Sequence, residues 1–262
     1  MTFTYLFLLS LITSLAVRYY LANRQMKHVF AHRNTVPEEF TARITLPEHQ
    51  KAADYTIAKL RLGLIEIALS AAILVGFTLL GGLQALQEFT LRYLEPGVWQ
   101  QITLLLCISL ISGIIDLPFS WYRQFKLEEQ FGFNRMTLGL FCSDLIKGTL
   151  LGLVIGIPLL WIILTLMNQA GEFWWVWAWI VWMGFNALLL WLFPTFIAPL
   201  FNKFKPLEND SLKARIEELL QRCDFKSQGL FIMDGSKRSA HGNAYFTGLG
   251  KAKRIVFFDT LI

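Results

Sequence analysis

His28 and His32 are the first residues in this chain whose spacing could do chemistry, since four residues apart on a helix two imidazoles share one face, as a zinc site requires. Position 29 is Val29, so the general-base carboxylate of an HExxH site is missing there, and no HExxH occurs anywhere in the 262 residues. The pair reads as part of a basic linker rather than as metal ligands. Cys107, Cys142 and Cys223 fall at no CxxC spacing and indicate neither a disulfide framework nor a thiolate metal site. Four charges, Arg18, Glu66, Asp116 and Lys147, lie inside or beside long apolar runs. Ionisable groups at such depth face protein or water rather than lipid. They read either as snorkelling (Arg18, Lys147) and helix-end stabilisation (Glu66), or as the lining of a polar cavity open toward the cytoplasm.

The elements that must position these groups are membrane helices. Hydrophobic residues make up 55% of the chain and charged residues 16%, and the mean hydropathy is +0.47. That is the composition of an integral membrane protein. Five apolar runs, Phe3 to Leu21, Leu62 to Leu80, Ile102 to Trp121, Leu145 to Met167 and Phe173 to Phe193, are each long enough to cross about 30 Å of hydrocarbon at about 1.5 Å per residue. The first lacks a preceding basic residue and a small-x-small cleavage site, so it reads as a retained helix and not a cleaved signal. Lys and Arg number seven from Arg24 to Arg61, one (Arg92) in the second loop, three from Arg123 to Arg135, none in the fourth loop, and eleven after Pro194. The positive-inside rule then puts the N-terminus outside and the C-terminal region in the cytoplasm. Trp174, Trp175, Trp177 and Trp191 fit interfacial belts. Gly148, Gly152 and Gly156 give one helix face three flat positions suited to close packing, with Pro158 expected to kink or end that segment. The net charge of +5 follows membrane sidedness, and no basic helix or aromatic reading surface accompanies it, so nucleic acid is excluded as a partner.

Beyond Pro194, Pro199 and Pro206 the composition turns polar, dividing the chain into a membrane domain, 1–200, and a second domain beginning at 201–262. A helix is expected from Asp210 to Cys223, where Leu212, Ile216, Leu219, Leu220 and Cys223 repeat at helical spacing. Strands are expected from Gly229 to Asp234, Asn243 to Gly248 and Arg254 to Asp259, the last two joined by a turn from Gly248 to Lys253. The run Ile255, Val256, Phe257, Phe258 calls for cover on both faces. Asp259 and Thr260 are N-cap types followed by Leu261 and Ile262, which reads as a helix announced at the end of the chain. One helix and three strands in about 60 residues make a marginal core, and truncation is the expectation.

Four segments now carry a resemblance: YTIAKLRLGLI from Tyr55, EEQFGFNRMT from Glu128, LFPTFIAPLFNKFKPL from Leu192, and DGSKRSAHGNAYFTGLGKAKRIVFFDTL from Asp234. In this order they resemble the type I CAAX prenyl protease family of membrane zinc endopeptidases, and the last segment is the most specific. The resemblance implies seven membrane helices around a large chamber, with zinc held by HExxH and a more distant Glu, a part of the pattern that these residues do not include. It therefore implies an α-helical integral membrane protein with five transmembrane helices, followed by a partial cytoplasmic α+β metalloprotease domain.

For mechanism, the resemblance implies a zinc-bound water attacking a peptide carbonyl in the complete enzyme, with no zinc bound and no catalysis by this chain alone. It also implies that Asn243, Ala244, Tyr245 and Phe246, with His241 nearby, are substrate-binding residues on an edge strand to which an extended peptide adds. By residue type alone Asn243 is a turn residue and His241 a polar loop residue. The implied partners are a peptide or protein substrate, prenylated or simply membrane-associated, and membrane lipid. A second reading is a non-catalytic membrane peptide-binding or scaffold protein derived from that family. A transporter is a weaker third, since no internal repeat or paired broken helices are evident. Short loops point to a bacterial inner membrane.

Overall fold

The computed structural model describes residues 2–248 and 253–262. Among the described residues five helices are long and apolar enough to cross a membrane; four extend past the expected runs at both ends, and the second starts earlier and stops at Thr78, two residues short of Leu80. They belong to two compact units, one of Met1–Glu95 with Thr103–Gly132, the other of Pro96–Ile102 with Phe133–Ile262.

In the first unit, α1 (Thr2–Ala31) packs on α2 (Leu46–Thr78), which α3 (Gly82–Leu91) follows. Of the pair read as part of a linker, His28 lies in the last turn of α1 and His32 follows its end at Ala31. The two rings lie 4.3 Å apart, and His32 Nδ1 pairs with the His28 carbonyl oxygen at 2.8 Å. α2 begins sixteen residues before the run expected at Leu62, because Thr45 and Glu48 form a capping box and Pro47 fits the first turn. The Tyr19 hydroxyl donates to the Leu64 carbonyl at 2.8 Å, and Arg33 forks onto both oxygens of Asp54 at 2.7 Å, so the α1/α2 register is set at two heights. α4 (Val98–Tyr122) carries Pro118 in its interior and continues as a π-helical stretch, Arg123–Glu128. Within this unit Tyr55 donates to Glu128 Oε1 at 2.6 Å and meets the buried Phe131 edge-on at 5.2 Å. Glu66 pairs with Arg123, so it is an ion-pair partner and not a helix-end charge. Glu66 and Asp116 line one cleft of about 380 Å³ with Ser70 and Ser112, an arrangement in keeping with the polar-cavity reading.

In the second unit, α5 (Leu138–Gln169) starts where the Thr137 hydroxyl accepts from the Leu140 amide at 3.2 Å, and it packs on α6 (Trp174–Leu192). Pro158 neither ends α5 nor shortens it. Among the described residues, a Cβ built on Gly148, Gly152 or Gly156 meets nothing within 4 Å, so that face of α5 is open. After α6 comes a π-helical stretch, Phe193–Ile197, then α7 (Ala198–Phe201). Lys147, read as snorkelling, donates instead to the Leu200 carbonyl at 3.2 Å.

The rest of this unit is a four-stranded sheet with one helix. β1 (Phe204–Pro206), β2 (Leu230–Met233), β3 (Ala244–Thr247) and β4 (Arg254–Phe258) take the order β1-β2-β4-β3, and α8 (Asp210–Arg222) lies between β1 and β2 in sequence. β1 was not anticipated. β4 runs parallel to β2 and antiparallel to β3, so it is interior, and Val256 at its centre is 3% exposed. α8 ends one residue before the expected Cys223, and Asn209 caps its start by accepting from the Leu212 amide at 3.0 Å. The expected turn from Gly248 to Lys253 lies, at residues 249–252, outside the described residues. At the chain end, Asp259 and Thr260 are in turn conformation.

Candidate functional site

β3 ends the sheet, and the backbone register decides which of its groups face outward. The Phe258 amide donates to the Asn243 carbonyl at 2.8 Å, and the Ile255 amide donates to Gly229 on the β2 side at 3.1 Å. In an antiparallel pair, hydrogen-bonding direction alternates along the strand. Asn243, Tyr245 and Thr247 therefore turn their backbone groups to β4, whereas Ala244 and Phe246 turn theirs to the open edge. One outward donor is already covered: the Ala244 amide donates to Asn243 Oδ1 at 2.8 Å. Among the described residues, the edge so exposed consists of the Ala244 carbonyl and the Phe246 amide and carbonyl.

Side chains alternate across the same strand. Ala244 and Phe246 are exposed on one face, with the Phe246 ring edge-on to Phe225 at 5.6 Å. Tyr245 and Thr247 face a small cavity of about 100 Å³ bordered by Pro194, Thr195, Ala198 and Val256. The Tyr245 hydroxyl has Met233 Sδ as a distant partner at 3.9 Å, and burial pushes its pKa above the ordinary tyrosine value. His241 lies at the entry to the strand: its ring stacks on Phe133 at 4.1 Å, its amide donates to Ser239 Oγ, and its carbonyl accepts from Thr260 at 2.8 Å.

A polar hub holds this edge, and its members escape a reading of the sequence. Arg238 forks onto Asp144 with Nε to Oδ2 at 2.6 Å and Nη2 to Oδ1 at 2.9 Å. It also donates to Asn202 Oδ1 at 2.6 Å and to the Phe201 carbonyl at 2.8 Å. Lys237 bonds the same carbonyl at 2.6 Å and Asp234 Oδ2 at 2.9 Å. With Lys147 on Leu200, three cations satisfy the terminal carbonyls of α7, where the helix dipole is negative. Asp259 accepts from the Ser236 amide at 2.7 Å and from its hydroxyl at 2.5 Å. Gly235 must lack a side chain, since a Cβ there would lie 2.6 Å from the Phe258 ring. The segment 133–135 adds to the same loop, with the Ala240 amide on Phe133 and the Arg135 amide on Arg238. The one available signal in the sequence is Asp144 itself, a carboxylate placed immediately before an apolar run.

Among the described residues no three His, Cys, Asp or Glu side chains are grouped so as to hold a metal ion. His28 and His32 have no third such neighbour, and His241 is engaged by Phe133. These residues do not fit a zinc site, and none of them is assigned a part in metal chemistry.

The family description "CAAX prenyl protease N-terminal, five membrane helices" matches residues 25–203, and "Peptidase family M48" matches residues 206–262. The CAAX prenyl protease 1 homolog of Caenorhabditis elegans is 36% identical over 246 residues, which cover 93% of this chain and 54% of that protein. CAAX prenyl protease 1 of Saccharomyces cerevisiae is 44% identical over 175 residues, covering 65% of this chain and 38% of the relative. The crystal structure of S. mikatae Ste24p superposes with a TM-score of 0.85 at 33% identity, covering 96% of this chain and 59% of that one. The chain thus spans less than two thirds of the length of each of these relatives. With five helices able to span a bilayer and a small mixed sheet behind them, the chain is an integral membrane protein that belongs to the CAAX prenyl protease family of metalloproteases.

Proposed function

We propose that this chain is the membrane domain (1–200) and the start of the peptidase domain (201–262) of a zinc endopeptidase that cleaves membrane-associated or prenylated peptides, with β3 as the strand that receives the substrate. The observation that carries the reading is the open edge of β3, where Ala244 and Phe246 direct backbone groups away from β4. An extended peptide would extend the sheet there by main-chain hydrogen bonds, and the side chains on either face would set selectivity. Ala244 is small enough to let a second backbone approach, and Asn243 would hand its place on the Ala244 amide to the incoming strand or bond that strand itself. Tyr245 would support the edge from the cavity side, and His241, stacked on Phe133, would fix the entry to the strand. Zinc and hydrolysis are attributed to the complete enzyme, and the residues of this chain hold the peptide. A peptide-holding scaffold without hydrolysis is the second reading, and it uses the same open edge of β3.

Proline separates substrate binding from folding. Phe246→Pro removes an amide that points away from the sheet, which an edge strand tolerates. Tyr245→Pro removes one that bonds β4. In reconstituted protein, photo-crosslinking of a peptide ending in a farnesylated cysteine should fall at least tenfold in Phe246→Pro with melting unchanged, whereas Tyr245→Pro should lower the melting temperature. Undiminished crosslinking in Phe246→Pro would overturn the assignment. Equal crosslinking of the same peptide without its farnesyl group would restrict the substrate class to membrane-associated peptides in general.

For location we propose the orientation given by the Lys and Arg counts, N-terminus outside and C-terminal region cytoplasmic. The relatives named above are eukaryotic, and loop length alone is the support for a bacterial inner membrane.

A further inference from the structure

Below the His28 and His32 pair, α1 and α2 enclose an open cleft of about 680 Å³ lined by Leu21, Ala22, Arg24, Gln25, His28 and Leu60. Its composition is graded. Leu21 ends the apolar run of α1, and Arg24 lies about 4.5 Å further along the axis at about 1.5 Å per residue. The lower part is therefore aliphatic, from Leu21 and Ala22, and the upper part carries Arg24, Gln25 and His28, with Leu60 as the α2 wall at the height of Arg24. The Tyr19 to Leu64 bond fixes the two helices so that Arg24 comes level with the Leu60 region of α2.

The cations of this unit differ in how they are satisfied. Arg33 is paired with Asp54 and Arg123 with Glu66. Arg24, in the cleft, has no carboxylate or carbonyl partner among the described residues. A guanidinium at the boundary of the apolar run, with an imidazole one turn away and an aliphatic wall beside and beneath it, complements a phosphate carrying acyl chains. We propose that this cleft binds the headgroup of an anionic phospholipid, with Arg24 and His28 on the phosphate and Leu21, Ala22 and Leu60 along the first carbons of an acyl chain. The proposal does not depend on the protease reading.

Native mass spectrometry of the full 262-residue chain, released from detergent after mixing with equal phosphatidylglycerol and phosphatidylcholine, tests it. Phosphatidylglycerol adducts should exceed phosphatidylcholine adducts about tenfold, and Arg24→Gln combined with His28→Gln should bring the two to parity. Arg92→Gln, which removes an exposed cation elsewhere, should change nothing. Leu60→Trp fills the aliphatic wall without removing a charge and should also reduce the phosphatidylglycerol adducts, which keeps the test valid if the double variant unfolds. Equal adducts of both lipids on the unaltered protein would overturn the proposal. So would an equal loss in Arg92→Gln, which would indicate diffuse charge, or displacement by millimolar inorganic phosphate, which would indicate a free-anion site.

Discussion

Asn243 uses its backbone and its side chain in different directions: the carbonyl stays in the ladder with Phe258 while Oδ1 covers the first outward donor of the edge. Residue type alone suggests a turn and the resemblance suggests a binding residue. Neither shows that one side chain also shields an open strand, a common requirement at sheet edges. Tyr245 is legible in the sequence only as a member of the strand; its burial over the cavity depends on residues from α6 to α7 that lie about 50 positions earlier. That burial has a pH consequence. The folded-state pKa of Tyr245 is raised, so the contribution to stability is complete below the unfolded value of about 10 and is lost as pH rises past it. Tyr245→Phe should therefore flatten the fall in melting temperature above about pH 10, as followed by thermal scans in detergent. Identical alkaline slopes in both proteins would show that another group is responsible.

Among the elements, hydropathy locates all five spans but misjudges their ends, because an apolar run measures the hydrocarbon thickness and a helix need not stop at the interface. α2 shows this best: its first sixteen residues are polar enough to escape a hydropathy reading, yet a capping box and Pro47 start the helix at Leu46. After α7, the elements α8, β2, β3 and β4 are legible to within about a residue, since periodicity and turn residues bound them. β1 is not, because three residues ending in proline carry no alternation, and they are ordered by pairing with β2. The hub at Arg238 is hidden for a related reason: its bonds join α5, α7 and the loop before β3, and no local pattern encodes them. The side chains of Arg238 and Asp144 are about one fifth exposed, so losing one partner leaves a largely desolvated charge. Arg238→Gln should destabilise the protein by roughly 2 to 3 kcal/mol. Arg238→Lys should recover only part of that, since an ammonium cannot fork onto a carboxylate and two carbonyls together. Chemical denaturation with matched Asp144→Asn and double variants would show whether the two positions are coupled; additive effects would contradict the hub.

For the whole molecule, sidedness is the property most open to a direct check. In sealed vesicles an impermeant maleimide should reach Cys223 and an Arg43→Cys variant from the same side, and an Arg92→Cys variant from the other. Labelling of all three from one side would refute the alternation of loops. The distance in sequence between Asp144 and Arg238 is 94 residues, and translation at about 5 to 20 residues per second spreads their synthesis over roughly 5 to 20 s. For that interval Asp144 has no guanidinium to meet it, so the contacts that tie the end of α5 to the Arg238 loop form only after both segments have been made.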